Sequence, residues 1–286
     1  NAMKIYIDGE YFDKDQAKVS VYDHGLLYGD GVFEGIRIYG GRVFKLTEHL
    51  KRLYDSARAI HLAIPMDLEA MAAAVNKTVS VNEKVDGYIR LLVTRGKGNL
   101  GLNPFTCERA SVIIIVDDIQ LYPQACYDEG IAVITASVRR TPAQCLDPRI
   151  KSLNYLNNIM AKVEAIHAGC LEALMLNTEG FVAECTGDNV FYIKNQQLMT
   201  PESADGALEG VTRNTVIEAA GDIGMPVVCR ATTLYDIYTA DECFLTGTAA
   251  EMIPVVKVDG RAIGEGRPGP LTADLKKAFL ERIKMT

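Results

Sequence analysis

Residues 149–162 read RIKSLNYLNNIMAK, and the meaning of Lys151 within them decides how the rest of the chain is understood. Downstream of the lysine, Leu153, Leu156, Ile159, Val163 and Ile166 recur at helical spacing, which predicts a helix that buries this stripe and stops at Gly169. Lys151 then stands immediately before a helix start, where unpaired backbone amides and the helix dipole supply positive potential. A desolvated amine in that setting is what a Schiff-base lysine requires. Taken alone, a lysine is ordinarily a solvated surface residue, so its surroundings in the sequence have to decide.

Three later features bear on it. The strand FVAEC (181–185) carries near its end an acid, Glu184, that can hold a pyridine nitrogen, although an exposed strand glutamate fits the same spacing. In EGVTRNT (209–215), Gly210 and Val211 lead into a helix with Thr212 in its first turn, an anion site or an ordinary N-cap. In TGTAAE (246–251), Gly247 permits a tight turn from which Thr248 and Ala249 can aim amides and a hydroxyl at a phosphate or carboxylate, or simply form a loop.

Outward from these motifs the chain reads as mixed α/β. The first part runs through strands KIYIDGEYF (4–12), a turn-rich VYDHGLLYGDG (21–31), and VFEGIRIY (32–39) paired with RVFKL (42–46) across Gly40 and Gly41. Helices follow at EHLKRLYDSARAIHL (48–62), with Leu50, Leu53, Ala57 and Ile60 on one face, and at 67–82; strands DGYIRLLVTRG (86–96) and RASVIIIVDD (109–118) flank a glycine-rich loop. Residues 3–118 are thus expected to form a small α/β domain, 119–132 a connector containing Pro123, and 133–286 a larger domain. That second domain has strands AVITASV, EALMLN, FVAEC, NVFYIK and 242–260, and helices after Lys151, from Thr212 and over 272–283.

Bulk properties remove several classes of function. A net charge of −7 with no basic stripe argues against a nucleic-acid or anionic-membrane surface. No apolar stretch approaches the ~20 residues of a membrane span, and no basic head precedes an apolar run, so a cytoplasmic protein is expected. Asn1 and Ala2, ahead of Met3, read as a cloning remnant. The seven cysteines and four histidines are scattered, which suits neither a disulfide framework nor a metal site.

Taken jointly, RIKSLNYLNNIMAK, GFVAECTGDNVF, LEGVTRNT and LTGTAAE, with YGDGVFEGIR, EHLKRL and GYIR before them, resemble the fold-type IV pyridoxal-phosphate enzymes, and among these the branched-chain amino acid aminotransferases. The resemblance runs from about Lys4 to the C-terminus. It implies a two-domain fold like that of D-amino acid aminotransferase, with a barrel-like core in the larger domain. It also implies pyridoxal 5'-phosphate carried on Lys151, Tyr155 on its phenolic oxygen, Glu184 on its ring nitrogen, Leu208 against its ring, and Arg52, Val211, Thr212 and Thr248 around its phosphate. Arg52 has a plain alternative as a solvated arginine opposite the apolar face of its helix. For the substrate, the resemblance points to Phe33, Tyr88, Arg90, Thr248 and Ala249, with Tyr28 and the loop Leu100, Gly101 and Leu102 arriving from a second subunit of a homodimer or hexamer. Phe33 and Tyr88 also fit core packing on strands.

The implied activity exchanges an amino group between leucine, isoleucine or valine and 2-oxoglutarate. A pocket that takes an apolar amino acid and glutamate by turns needs an apolar wall beside a cation and a hydroxyl. D-amino acid aminotransferase and aminodeoxychorismate lyase stay as alternatives on the same fold, as does a non-catalytic binder, which would be expected to lose the lysine or the glutamate. Arg139 and Arg140 face either a substrate carboxylate or solvent, and Tyr122 is a candidate pocket residue.

Overall fold

The computed structural model describes residues 2–119 and 122–286. They form two compact units. The first holds residues up to 119 together with Ile150–Asn154, and the second holds 122–149 with Tyr155–Thr286.

In the first unit, β1 (Lys4–Ile7), β2 (Glu10–Asp13) and the short helix α1 (His24–Tyr28) precede β3 (Gly31–Tyr39) and β4 (Arg42–Val43). Helices α2 (Leu46–Ala59) and α3 (Leu68–Val81) are followed by β5 (Gly87–Thr94) and β6 (Ser111–Asp117). All strand pairs are antiparallel, in the order β2-β1-β6-β5-β3-β4. The β3–β4 hairpin turns on Gly40 and Gly41 at φ 56° and 77°, the left-handed pair that a tight two-residue turn demands. Strand alternation then sorts the side chains. Val32, Ile36 and Ile38 of β3 and Ile89, Leu91 and Val93 of β5 pack with Leu50, Leu53 and Ala57 of α2 and Met71 and Val75 of α3. Phe33, Gly35, Tyr88 and Arg90 take the opposite parity and therefore the opposite face.

The second unit begins with α4 (Gln124–Glu129), β7 (Ile131–Thr135), α5 (Ala143–Leu146) and α6 (Leu156–His167). It continues through β8 (Glu172–Leu176), β9 (Val182–Cys185), β10 (Asn189–Lys194), β11 (Gln197–Thr200), α7 (Val211–Asp222), β12 (Val227–Cys229) and α8 (Leu234–Tyr238). β13 (Glu242–Gly247), β14 (Glu251–Val258), β15 (Arg261–Ala262) and α9 (Pro270–Met285) complete it. Of the segment expected as a connector, α4 is helical, β7 takes its end, and Gln120 and Leu121 lie outside the described residues.

Eight strands run in the order β12-β11-β10-β13-β14-β7-β8-β9, with β15 beside β14. In a flat sheet β9 and β10 would lie five spacings apart, about 24 Å at the usual strand separation. Only four Cα steps, at most about 14 Å, join Cys185 to Asn189. The sheet therefore has to curl, which is the barrel-like core that the resemblance implies. Phe191 and Phe244 stack within it with ring centroids 5.1 Å apart.

Helix α6 departs from the sequence reading. It starts at Leu156, five residues beyond Lys151, and its buried residues are Asn158, Ala161 and Ala165. The small alanines let the helix lie close against Ala173 and Met175 of β8. Leu156, Ile159, Val163 and Ile166, expected to be buried, are instead exposed, at 65%, 52%, 37% and 62%.

Candidate active site

Within the first unit, Lys151 belongs to an extended strip laid along the start of β3. Its carbonyl accepts from Phe33 N at 3.0 Å, its amide donates to Ser56 Oγ at 3.1 Å, Leu153 N donates to Gly31 O at 3.0 Å, and Ser152 bridges Val32. The expected position at a helix start is thus corrected: backbone pairing to β3 and a hydrogen bond to the Ser56 hydroxyl of α2 position the lysine, and no helix dipole does. Its Nζ lies 4.5 Å from the Phe33 ring centroid.

The same ring meets a second cation. Arg90 Cζ is 4.8 Å from the Phe33 centroid, and its Nη2 donates to the Tyr88 hydroxyl at 2.9 Å. Arg90 Nε is buried and has no hydrogen-bond partner among the described residues. Tyr88 passes over Gly35, where a Cβ would stand 1.9 Å from the phenolic oxygen, so only glycine admits this placement. Phe33, Tyr88 and Arg90 are therefore brought together, on the sheet face away from the core.

Arg52 is not a solvated arginine. Its Nε and Nη2 each donate to Glu34 at 2.7 Å, one to each carboxylate oxygen, and His49 Nδ1 lies 2.7 Å from Glu34 Oε2. Glu34 shares the parity of Val32 and Ile36 and so sits on the core face of β3, fully buried. Burial pushes its carboxyl up, but the Arg52 charge and the hydrogen bonds from Arg52 and His49 outweigh this and bring it down to about 2. Burial pushes the His49 imidazole down against the pull of Glu34, and the Arg52 and Lys151 charges add to the lowering. His49 is then neutral and donates from Nδ1. Sequence reasoning missed Glu34 and His49; the available signal was a lone carboxylate in the buried strand GVFEGIRIY.

Tyr28, Leu100, Gly101 and Leu102 also share one place in this unit. The Tyr28 hydroxyl donates to the Leu100 carbonyl, and the group is exposed together with Leu26, Leu27 and Phe105.

In the second unit, Glu184 is only 4% exposed. Arg140 Nη2 donates to its Oε1 at 2.5 Å, while Asn189 Nδ2 at 3.2 Å and Leu208 N at 3.1 Å donate to its Oε2. The exposed-strand alternative for Glu184 is thereby excluded. Arg140 is buried, with Nε donating to Gly206 O at 2.9 Å, whereas Arg139 is exposed. Asn189 Nδ2 also holds Leu208 O at 2.8 Å, so residues 206–208 are fastened beside the carboxylate. Tyr122 packs against the core of this unit, and Tyr155 is the residue before the first turn of α6.

The fit of these residues to pyridoxal phosphate rests on three features. Helix α7 starts at Val211 behind Gly210, which offers no side-chain cap, leaving the first-turn amides of Val211 and Thr212 available to an anion. The Thr246 hydroxyl is buried and has no partner among the described residues. It pairs across strands with Asn189, so its side chain shares the face that carries the Glu184 network. Thr248 and Ala249 form the turn that follows β13, half-buried and exposed respectively. An uncapped helix start, an unused hydroxyl and a buried carboxylate suit a group with a phosphate at one end and a basic ring nitrogen.

Residues 31–258 match the model of the amino-transferase class IV family. The chain belongs to that family. Among relatives of this class IV aminotransferase, the branched-chain-amino-acid aminotransferase of Pseudomonas aeruginosa is 39% identical over 98% of this chain and 92% of its own. A Methanocaldococcus jannaschii protein provisionally given the same name is 50% identical over 97% and 95%. In structure, the chain superposes on the Escherichia coli branched-chain amino acid aminotransferase with a TM-score of 0.95 at 34% identity, covering 98% of this chain and 94% of that one. The Thermobaculum terrenum branched-chain amino acid aminotransferase, described in its PLP-form, gives a TM-score of 0.89 at 31% identity, covering 99% and 94%. No helix among the described residues is long and apolar enough to cross a membrane.

Proposed function

We propose that this class IV aminotransferase moves the amino group of leucine, isoleucine or valine to 2-oxoglutarate, using pyridoxal 5'-phosphate held on Lys151. The observation that carries the reading is the Phe33 ring, 4.5 Å from the Lys151 amine and 4.8 Å from the Arg90 guanidinium. It offers an apolar wall to a branched side chain next to a cation that a glutamate carboxylate can use. Bound pyridoxal phosphate supplies an electron-accepting ring that stabilises negative charge at the substrate α-carbon.

The chain's own residues do the rest. Lys151 Nζ would hold the cofactor, and its free amine would move the proton of the substrate α-carbon, as general base and then as general acid. Glu184 holds the ring nitrogen in its protonated form, and Tyr155 steadies the phenolic oxygen. Arg52, fixed by Glu34, serves the phosphate with the amides of Val211 and Thr212 and the Thr248 hydroxyl, while Leu208 covers the ring. Thr248 and Ala249 amides receive the α-carboxylate, and Phe33, Tyr88 and Arg90 select the side chain. Tyr28, Leu100, Gly101 and Leu102 complete the pocket of a second copy in a homodimer; their exposure beside Leu26, Leu27 and Phe105 supports this, because contiguous exposed apolar groups mark contact surfaces. The setting is cytoplasmic.

A donor panel with 2-oxoglutarate tests the proposal. L-leucine, L-isoleucine and L-valine are expected to yield L-glutamate with kcat/KM at least about 100-fold above D-alanine, since the wrong hand of substrate misplaces the α-proton. Turnover of D-alanine alone, or pyruvate release from aminodeoxychorismate, would overturn it.

A further inference from the structure

Three carboxyl groups, Glu172, Glu184 and Asp188, are buried around β8, β9 and the turn that follows, at 2%, 4% and 9% exposure. Buried like charges cannot all be ionised, so the surroundings decide which of the three stay charged. Glu172 accepts from Ala173 N at 2.9 Å, Thr186 N at 3.0 Å and Thr186 Oγ1 at 2.5 Å, with Lys162 Nζ 4.0 Å away. Asp188 has no cation within salt-bridge distance among the described residues. Burial, and then the Glu172 charge, push its carboxyl well above the usual range. Arg140, by contrast, is itself 6% exposed, is fixed by its bond to Gly206 O, and spends its Nη2 on Glu184.

We propose that Arg140 is a positioning residue that keeps Glu184 ionised within this buried acidic group and thereby keeps the cofactor's ring nitrogen protonated. The inference rests on the proposed role of Glu184. Arg140 touches neither substrate nor reacting atoms in this account. It acts through Glu184, and the two neighbouring acids are what make a dedicated counter-charge necessary. The remaining donors on Glu184, Asn189 and Leu208 N, are neutral and orient the carboxylate without supplying charge.

The test uses holoenzyme reconstituted with pyridoxal phosphate labelled with ¹⁵N in the ring. In the parent, the nitrogen resonance is expected at the position of a protonated pyridine through neutral pH. In Arg140→Gln the visible band of lysine-bound cofactor is expected to persist, while the resonance moves to the unprotonated position and conversion of L-leucine in the first half-reaction slows about 10²-fold. Arg140→Lys, which keeps the charge, is expected to restore the protonated resonance over part of the pH range. If the glutamine variant does not fold, Arg140→Met, which removes the charge but keeps most of the side-chain volume, decides the matter, since a nitrogen titration in Arg140→Met identical to the parent's overturns the proposal. An unmoved resonance in Arg140→Gln, even with lowered thermal stability, overturns it as well, because a purely structural arginine would give that result. A parent protein that binds no cofactor on Lys151 would instead remove the functional reading, and this inference with it.

Discussion

Replacing Lys151 with alanine is expected to abolish the visible absorption of the bound cofactor and to lower transamination of L-leucine by about 10⁴-fold or more, since the tether and the general base are lost together. The fold should survive. The amine's contact with the Phe33 ring is worth roughly 0.5–2 kcal/mol, and the backbone bonds of residue 151 to Phe33 N and Ser56 Oγ do not depend on its side chain. Absorption spectra and single-turnover rates, read beside a thermal melt, check this. A variant that keeps the parent's visible band would contradict the assignment of Lys151.

Glu34→Ala is expected to have the largest effect on stability. It strips a buried carboxylate from two donors and leaves the Arg52 guanidinium, only 15% exposed, without its bidentate partner. Breaking a buried pair in this way costs about 3–5 kcal/mol. The pH dependence has a definite sign. The carboxyl lies at about 2 in the folded protein against an ordinary 4.5, so its contribution is complete above 4.5 and is lost as pH falls toward 2. His49 is also lowered, from 6.5, so acid begins to act on the same network below that value. Denaturation of parent and variant across pH should show a gap at neutrality that closes as pH approaches 2. A gap independent of pH would mean that the carboxylate charge is not what matters. Because Arg52 loses its orientation, cofactor affinity is expected to fall in the same variant.

The sequence revealed those parts of the fold that depend on local period and turn chemistry. Leu50, Leu53 and Ala57 mark the buried face of α2, Gly40 and Gly41 the β3–β4 turn, and Gly210 and Val211 the start of α7. Helix α6 shows where this stops. A helical stripe of large apolar residues says that one face is apolar, but not what covers it, and the face packed on β8 is the one with Ala161 and Ala165. The short elements β11, β12 and α8 fall below the length at which a period can be recognised.

At the site, single residues were legible through motif resemblance, while their partnerships were not. Glu34 meets Arg52 from 18 positions away, and Glu184 meets Arg140 from 44. Such pairs follow from strand parity and from the way the sheet curls, which no window of sequence contains. The two arginines side by side at 139 and 140 illustrate it: identical in type, they differ in that one is exposed and the other buried on a carboxylate.

Borohydride reduction of the holoenzyme followed by peptide mass mapping tests the central claim most directly. A single reduced phosphopyridoxyl group on Lys151, in the peptide that follows Arg149, is the expected result. The group on any other lysine, or on none, would contradict the account.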